Sequence, residues 1–134
     1  MLIETDVLLA AMNPVDRANA SARKVLNHEG LVLSPFSLLE VNLLTRAGKL
    51  EIRNFGDFSA DLSALLEVSS IRILNDLPEY HSEAHRLESE FRLTFFDSLH
   101  AAVSKVQREI IASYDRAYDR LEKEGIKRLD PADI

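Results

Sequence analysis

The chain contains no cysteine. That absence excludes disulfides, thiolate metal sites and a cysteine nucleophile, and a reducing cytoplasm is the simplest compartment that fits it. No run approaches the roughly 20 apolar residues of a membrane span. The opening stretch, "MLIETDVLLAAMN", is apolar, yet it lacks a basic n-region and carries two early acids, so it does not read as a signal peptide. Glycine is scarce: Gly30, Gly48, Gly56 and Gly125 stand alone, and no glycine-rich loop exists to cradle a phosphate. Basic charge is also short. A formal net charge of −6 argues against a general nucleic-acid coat. It does not exclude an enzyme that holds a polyanion through bound cations, because carboxylates gathered for that purpose lower the net charge themselves. Internal repeats, low-complexity tracts and linkers are absent too.

What is present fits one soluble globular domain over residues 1–134, with 46% hydrophobic and 28% charged residues. Short apolar runs alternate with amphipathic segments. "MLIET" reads as a strand, "NPVDRANASARKVLNHEG" as a helix opened by Asn13 and Pro14, and "LVLS" as a short buried strand. Next comes "SPFSLLEVNLLTRAG", a helix with Ser34 as N-cap, Pro35 at its first position and Gly48 just past its end. "FGDFSADLSALLEVS" places Phe55, Phe58, Leu62, Leu65 and Leu66 at helical spacing, and "IRIL" is a strand. "LPEYHSEAHRLESEFRL" sets Tyr80, Ala84, Leu87 and Phe91 on one stripe. "DSLHAAVSKVQ" is a further helix, "EIIASYD" a strand and turn, "RAYDRLEKEG" a short helix and "IKRLD" a last strand. The alternation predicts an α/β fold, a three-layer α/β/α domain with a short parallel sheet.

Such sheets carry their functional site beyond the carboxyl ends of the strands. Glu4 and Asp6 end the first strand, and share one face if the strand runs through both. Asp115 follows "EIIASY", and Asp97 opens the helix after "TFF". Glu40 falls in the middle of the stripe formed by Phe36, Leu39, Leu43, Leu44 and Ala47, where an unpaired charge is costly. Four regions thus supply acids that the architecture can bring to one pocket. Several ionised carboxylates side by side need a cation, and Mg²⁺ or Mn²⁺ suits a shell of carboxylates and water. That chemistry suits phosphodiester hydrolysis. Each acid also has a plainer role. Asp97 and Asp115 suit N-caps, Glu4 and Asp6 suit solvated turns, and Glu40 suits a pair with a buried cation.

Other signals compete. His81, His85 and Glu88 lie on one helical face and could form a His-His-Glu metal site, although exposed polar residues are the default there. His100, one turn after Asp97, suits either a substrate contact or buried packing, and Asp119 suits either the pocket or a solvated helix surface. A receiver-like phosphoacceptor also gathers acids at strand ends, but no acceptor Asp is evident immediately after "IRIL".

Four stretches together resemble the PIN-domain ribonucleases, above all the small toxins of VapC type. These are "LIETDVLLA", the helix "LLEVNLL" with its inward Glu, "TFFDSLHAA", and "SYDRAY". The resemblance covers nearly the whole chain, and its motifs fall in the family's order. It implies that Glu40, Asp97 and Asp115 are metal-site carboxylates, that Ser113 supports the last acid, and that the first acidic position is filled by Glu4 or Asp6. The family has Asp where this chain has Glu4, and a neutral residue where it has Asp6. Implied with it is Mg²⁺- or Mn²⁺-dependent cleavage of single-stranded RNA, with Glu40 or Asp115 orienting the attacking water. Arg46, Lys49, Arg92 and Arg116 are candidates for the RNA backbone, or ordinary surface charges. A cognate antitoxin and a homodimer are the implied partners. The alternative is a degenerate PIN scaffold that binds RNA or a protein without cutting, its site spoiled by Glu4.

Overall fold

Leu2 and Ile3 are consecutive in the chain and face opposite sides of a sheet, and two hydrophobic cores grow from that alternation. Leu2 shares its face with its neighbours Val32 and Ile111, and Ile3 shares the other with Leu33 and Ala112. The computed structural model describes residues 1–134. It contains five parallel strands: β1 (Leu2–Ile3), β2 (Val32–Leu33), β3 (Arg72–Ile73), β4 (Ile111–Ala112) and β5 (Arg128–Leu129). Their order across the sheet is β3-β2-β1-β4-β5. The chain steps outward from β1 on one side, then returns to build β4 and β5 on the other. The strand order therefore reverses between β1 and β4, the point where parallel α/β sheets open a crevice.

Helices cover both faces, as the alternating pattern predicts. On the Ile3 face pack α1 (Thr5–Met12), α2 (Asn19–Val25) and α4 (Phe55–Val68), through Val7, Leu8, Ala22, Val25 and Leu62. On the Leu2 face pack α5 (Pro78–Phe91), α6 (Phe95–Gln107) and the 3₁₀ segment Arg116–Glu124. Tyr80, Ala84 and Leu87 are buried along α5, as their spacing predicts, and Phe91 of the same stripe is only partly buried against the core. The remaining helix, α3 (Ser37–Arg46), follows β2. Gly48 lies just beyond it at φ +70°, a left-handed conformation that glycine adopts without strain.

Five local expectations need correction. The first strand ends at Ile3, and α1 starts at Thr5 with Glu4 as its N-cap, so Glu4 and Asp6 do not share a strand face. The Glu4 carboxylate accepts the Asp6 N–H at 3.2 Å, a cap an extended strand cannot use. Asn13 and Pro14 do not open a helix. Asn13 and Asp16 instead accept from Val15 N–H and Ala18 N–H, turns that delay α2 to Asn19. Asn19 then donates to the carbonyls of Ala10 and Ala11, closing the end of α1. Ser34 accepts from Phe36 N–H, which shifts the start of α3 to Ser37. The buried residues of α3 are Ser37 and Val41, whereas Leu39 and Leu43 are 53% and 45% exposed. Likewise only Leu62 is fully buried on α4, and Phe55 is exposed.

Candidate metal centre

The carboxyl ends of β1 and β4 are side by side, because Leu2 pairs with Ile111 and Ile3 with Ala112. Glu4 follows the first strand and Ser113 the second. The Glu4 N–H donates to the Ala112 carbonyl at 3.1 Å, extending the ladder into the site. Ser113 ties the two ends together. Its hydroxyl lies 2.9 Å from Asp6 Oδ2 and 3.4 Å from Glu4 Oε2, and accepts the Asp115 N–H at 3.0 Å. Asp6 Oδ2 also accepts the Tyr114 N–H at 2.8 Å. Arg128 donates to the Ser113 carbonyl at 2.8 Å and pairs with Asp119 and Asp130, holding this turn from β5.

Glu4 is almost wholly buried, and its other oxygen faces inward. Oε1 lies 3.5 Å from His100 Nε2, and the same nitrogen lies 3.2 Å from Glu40 Oε1 and 3.4 Å from Thr5 Oγ1. Glu40 projects from the first turn of α3 with 14% of its side chain exposed. The partner that its sequence position demands is thus His100, fully buried on α6. Glu4, Glu40 and His100 each offer one atom, and these atoms all lie within 4.8 Å of one another.

Asp97 stands in the first turn of α6, three residues before His100 and on the same helical face. Its N–H is capped by Thr94 Oγ1 at 3.3 Å, and its half-buried carboxyl holds its proton more tightly than usual. Burial is the main cause; Asp115 and Glu40 add to it, and Thr94 and His100 oppose it. Asp115 is exposed and caps the 3₁₀ segment by accepting the Ala117 N–H at 2.8 Å. Burial raises Glu4 well above the ordinary carboxylate range, with Asp6 and Glu40 adding repulsion. Tyr118 completes the cluster: it is fully buried, its hydroxyl has no hydrogen-bond partner, and the charges acting on it are Glu4, Asp97, Asp6 and Glu40.

The structure therefore links Glu4, Asp6 and Ser113 directly, joins Glu40 to Glu4 through His100, and sets Asp97 within electrostatic reach of Asp115 and Glu40. Asp6 is turned toward Ser113 and Tyr114. His100 is the residue sequence reasoning undervalued; its three-residue spacing from Asp97 was the available signal. The competing signals do not assemble. His81 lies 2.9 Å from Asp76 Oδ1 with His85 exposed, and Asp119 is held by Arg128. β3, after which a receiver would need its acceptor, is an edge strand.

A PIN domain family profile matches residues 1–124. The chain belongs to the PIN domain family. PIN domains are generally nucleases, and PIN nucleases usually use divalent metal ions. Among solved structures this PIN domain is similar to a toxin–antitoxin complex from Klebsiella pneumoniae, at 14% identity and a TM-score of 0.69, covering 97% of this chain and 96% of that one. VapBC2 from Rickettsia felis, bound to a DNA fragment from its promoter, matches at 13% identity and a TM-score of 0.72, with 96% of each chain covered. PAE2754 from Pyrobaculum aerophilum matches at 26% identity and a TM-score of 0.63, covering 95% of this chain and 88% of that one. No curated protein matches the chain. The donor set fits a divalent ion: two carboxylate oxygens and one imidazole nitrogen converge, and a cation relieves the repulsion around Glu4. No helix is long and apolar enough to cross a membrane.

Proposed function

We propose that residues 1–134 form one PIN-like domain that hydrolyses phosphodiester bonds of single-stranded RNA with a bound Mg²⁺ or Mn²⁺, acting in the cytoplasm as a VapC-type toxin. The observation that carries this reading is the convergence of Glu4, Glu40 and His100, beside Asp97 and Asp115, at the switch point of a PIN sheet. Glu4 and Glu40 hold the ion, with Asp97 and Asp115 at the rim of the same pocket. Glu4 fills the first acidic position. Asp6 and Ser113 fix the ends of β1 and β4 around it. When bound, the ion supplies Lewis acidity toward the phosphoryl oxygens and toward water. Glu40 or Asp115 orients the attacking water by accepting its hydrogen bond, and the products carry a 5′-phosphate and a 3′-hydroxyl. Arg46, Lys49, Arg92 and Arg116, all exposed, receive the RNA phosphates.

The antitoxin part of the proposal draws on two supports. Solved relatives include toxin–antitoxin complexes. Leu38 of α3 lines a cleft of about 260 Å³ together with Phe55, Phe58 and Leu62, and Leu39 and Leu43 are exposed on the same helix. An antitoxin helix with an apolar stripe suits such a groove. Homodimerisation belongs to the same reading, and light scattering on the purified protein checks it.

A second reading, a PIN scaffold that binds RNA or protein without cutting, is favoured by one residue: Glu4 is a methylene longer than the family's Asp. Glu4→Asp separates the two, since a large gain in metal binding and cleavage indicates a degenerate site. The primary test is cleavage of labelled single-stranded RNA with Mn²⁺, with EDTA, and with folded Glu40→Gln protein. Metal-dependent cutting that the variant loses supports the nuclease. Wild type that neither binds metal nor cuts refutes it.

A further inference from the structure

The pocket contains a nitrogen that a purely carboxylate site does not. His100 is fully enclosed on α6, and Phe96 stacks beside it with ring centroids 6.3 Å apart and planes at 27°. Its Nδ1 has no partner, so the only polar engagement of the ring runs through Nε2, which faces Glu40 Oε1, Glu4 Oε1 and Thr5 Oγ1. Tyr118 is a second buried polar group without a partner, and the charges acting on its hydroxyl are those of Glu4, Asp97, Asp6 and Glu40. Imidazole nitrogen suits first-row transition ions, whereas Mg²⁺ prefers an all-oxygen octahedron and sheds water reluctantly.

We infer that His100 Nε2 is itself a metal ligand, forming with Glu4 and Glu40 a mixed nitrogen–oxygen site that takes a first-row transition ion such as Mn²⁺ in preference to Mg²⁺. The inference rests on the metal-dependent reading above and narrows it. Glu4 is the residue that makes the site possible. Its Oε2 is held by Asp6 N–H and approached by the Ser113 hydroxyl, which leaves Oε1 turned toward His100. Selectivity then lies in the histidine: an oxygen-only remnant still accepts Mg²⁺, and the nitrogen adds affinity only for ions that bind imidazole well.

The experiment uses the whole chain and Mn²⁺, which is paramagnetic. Pulsed electron paramagnetic resonance on the Mn²⁺-loaded protein reads directly whether a ¹⁴N nucleus is coordinated, and Mg²⁺ competition reads selectivity. Wild type should show imidazole ¹⁴N coupling. His100→Gln, with its fold checked by circular dichroism, should lose that coupling and weaken Mn²⁺ by about 10- to 100-fold or more, a loss typical even of an outer-shell partner. Its Mg²⁺ affinity should change far less, so that the preference collapses. Bound Mn²⁺ without ¹⁴N coupling in wild type overturns the inference, and needs no variant to do so. Coupling that survives in His100→Gln overturns it as well. If RNA is still cut in either of those cases, the nuclease reading stands and only the histidine ligand falls. Protein that binds no Mn²⁺ and cuts nothing removes both.

Discussion

Replacing Tyr118 by Phe deletes one buried oxygen that has no hydrogen-bond partner. Tyrosine-to-phenylalanine changes usually cost stability, because a buried phenol normally gives up a hydrogen bond worth about 0.5–1.5 kcal/mol. Here there is none to give up: the side chain is fully buried, and its hydroxyl oxygen has no partner. Carboxylates dominate the charges around it. Enclosing a hydroxyl without a partner costs about 1–3 kcal/mol, judged from substitutions in proteins. Tyr118→Phe should therefore stabilise the metal-free protein by about that amount. For a chain of this length, one kcal/mol corresponds to about 3.5 °C, so Tm should rise by roughly 4–10 °C. Differential scanning calorimetry at neutral pH in EDTA measures it. An unchanged or lower Tm refutes the reasoning, because it means the phenol has a partner in solution.

Three further outcomes are expected. Burial, Asp6 and Glu40 hold the folded Glu4 carboxyl well above its ordinary value of 4.5, so unfolding releases its proton across the interval between. Its contribution to stability is full below about pH 4.5 and is lost as pH climbs toward the raised value; Glu4→Gln should flatten that part of the metal-free profile, as followed by urea titrations at several pH values. Glu124 behaves in the opposite sense. Arg86 and Lys105 lower its carboxyl to about 2, so its contribution is present above about pH 4.5 and fades as pH falls toward 2, and Arg86→Met should reduce this acid-side loss. The joint change of Leu39 and Leu43 to Ser should abolish antitoxin binding in a pull-down, leave RNA cleavage within about twofold, and shift stability by less than about 1 kcal/mol, since both side chains are half exposed.

Much of the frame could be read directly from residue order. The alternation of Leu2 and Ile3 and the stripe Tyr80–Ala84–Leu87 are periodic signals that tertiary packing left intact. The location of the crevice beyond the carboxyl ends of the strands is also legible, because parallel topology implies it. The start of α1 was not. "VLLAAM" is apolar throughout, and a continuous apolar run fits a buried strand as well as a helix until the Glu4 cap decides. On α3 the apolar stripe is a misleading signal, because Leu39 and Leu43 are exposed and Glu40 reaches the interior. His100 stayed hidden for a related reason: on a helix buried from Ser98 to Ser104, spacing cannot separate a packing residue from one that meets two carboxylates. Only the register of α6 against α3 and the end of β1 reveals it.

In the proposed function, the carboxylates at the β1–β4 switch point bind a divalent ion that the protein uses to cut RNA. The most direct test adds Mn²⁺ stepwise to EDTA-stripped protein while following metal binding by calorimetry and cleavage of labelled single-stranded RNA in parallel. Cleavage should rise with occupancy of the site, and Glu40→Gln should lose both together. Cleavage that persists in EDTA, or Mn²⁺ that binds normally to Glu40→Gln, would contradict it.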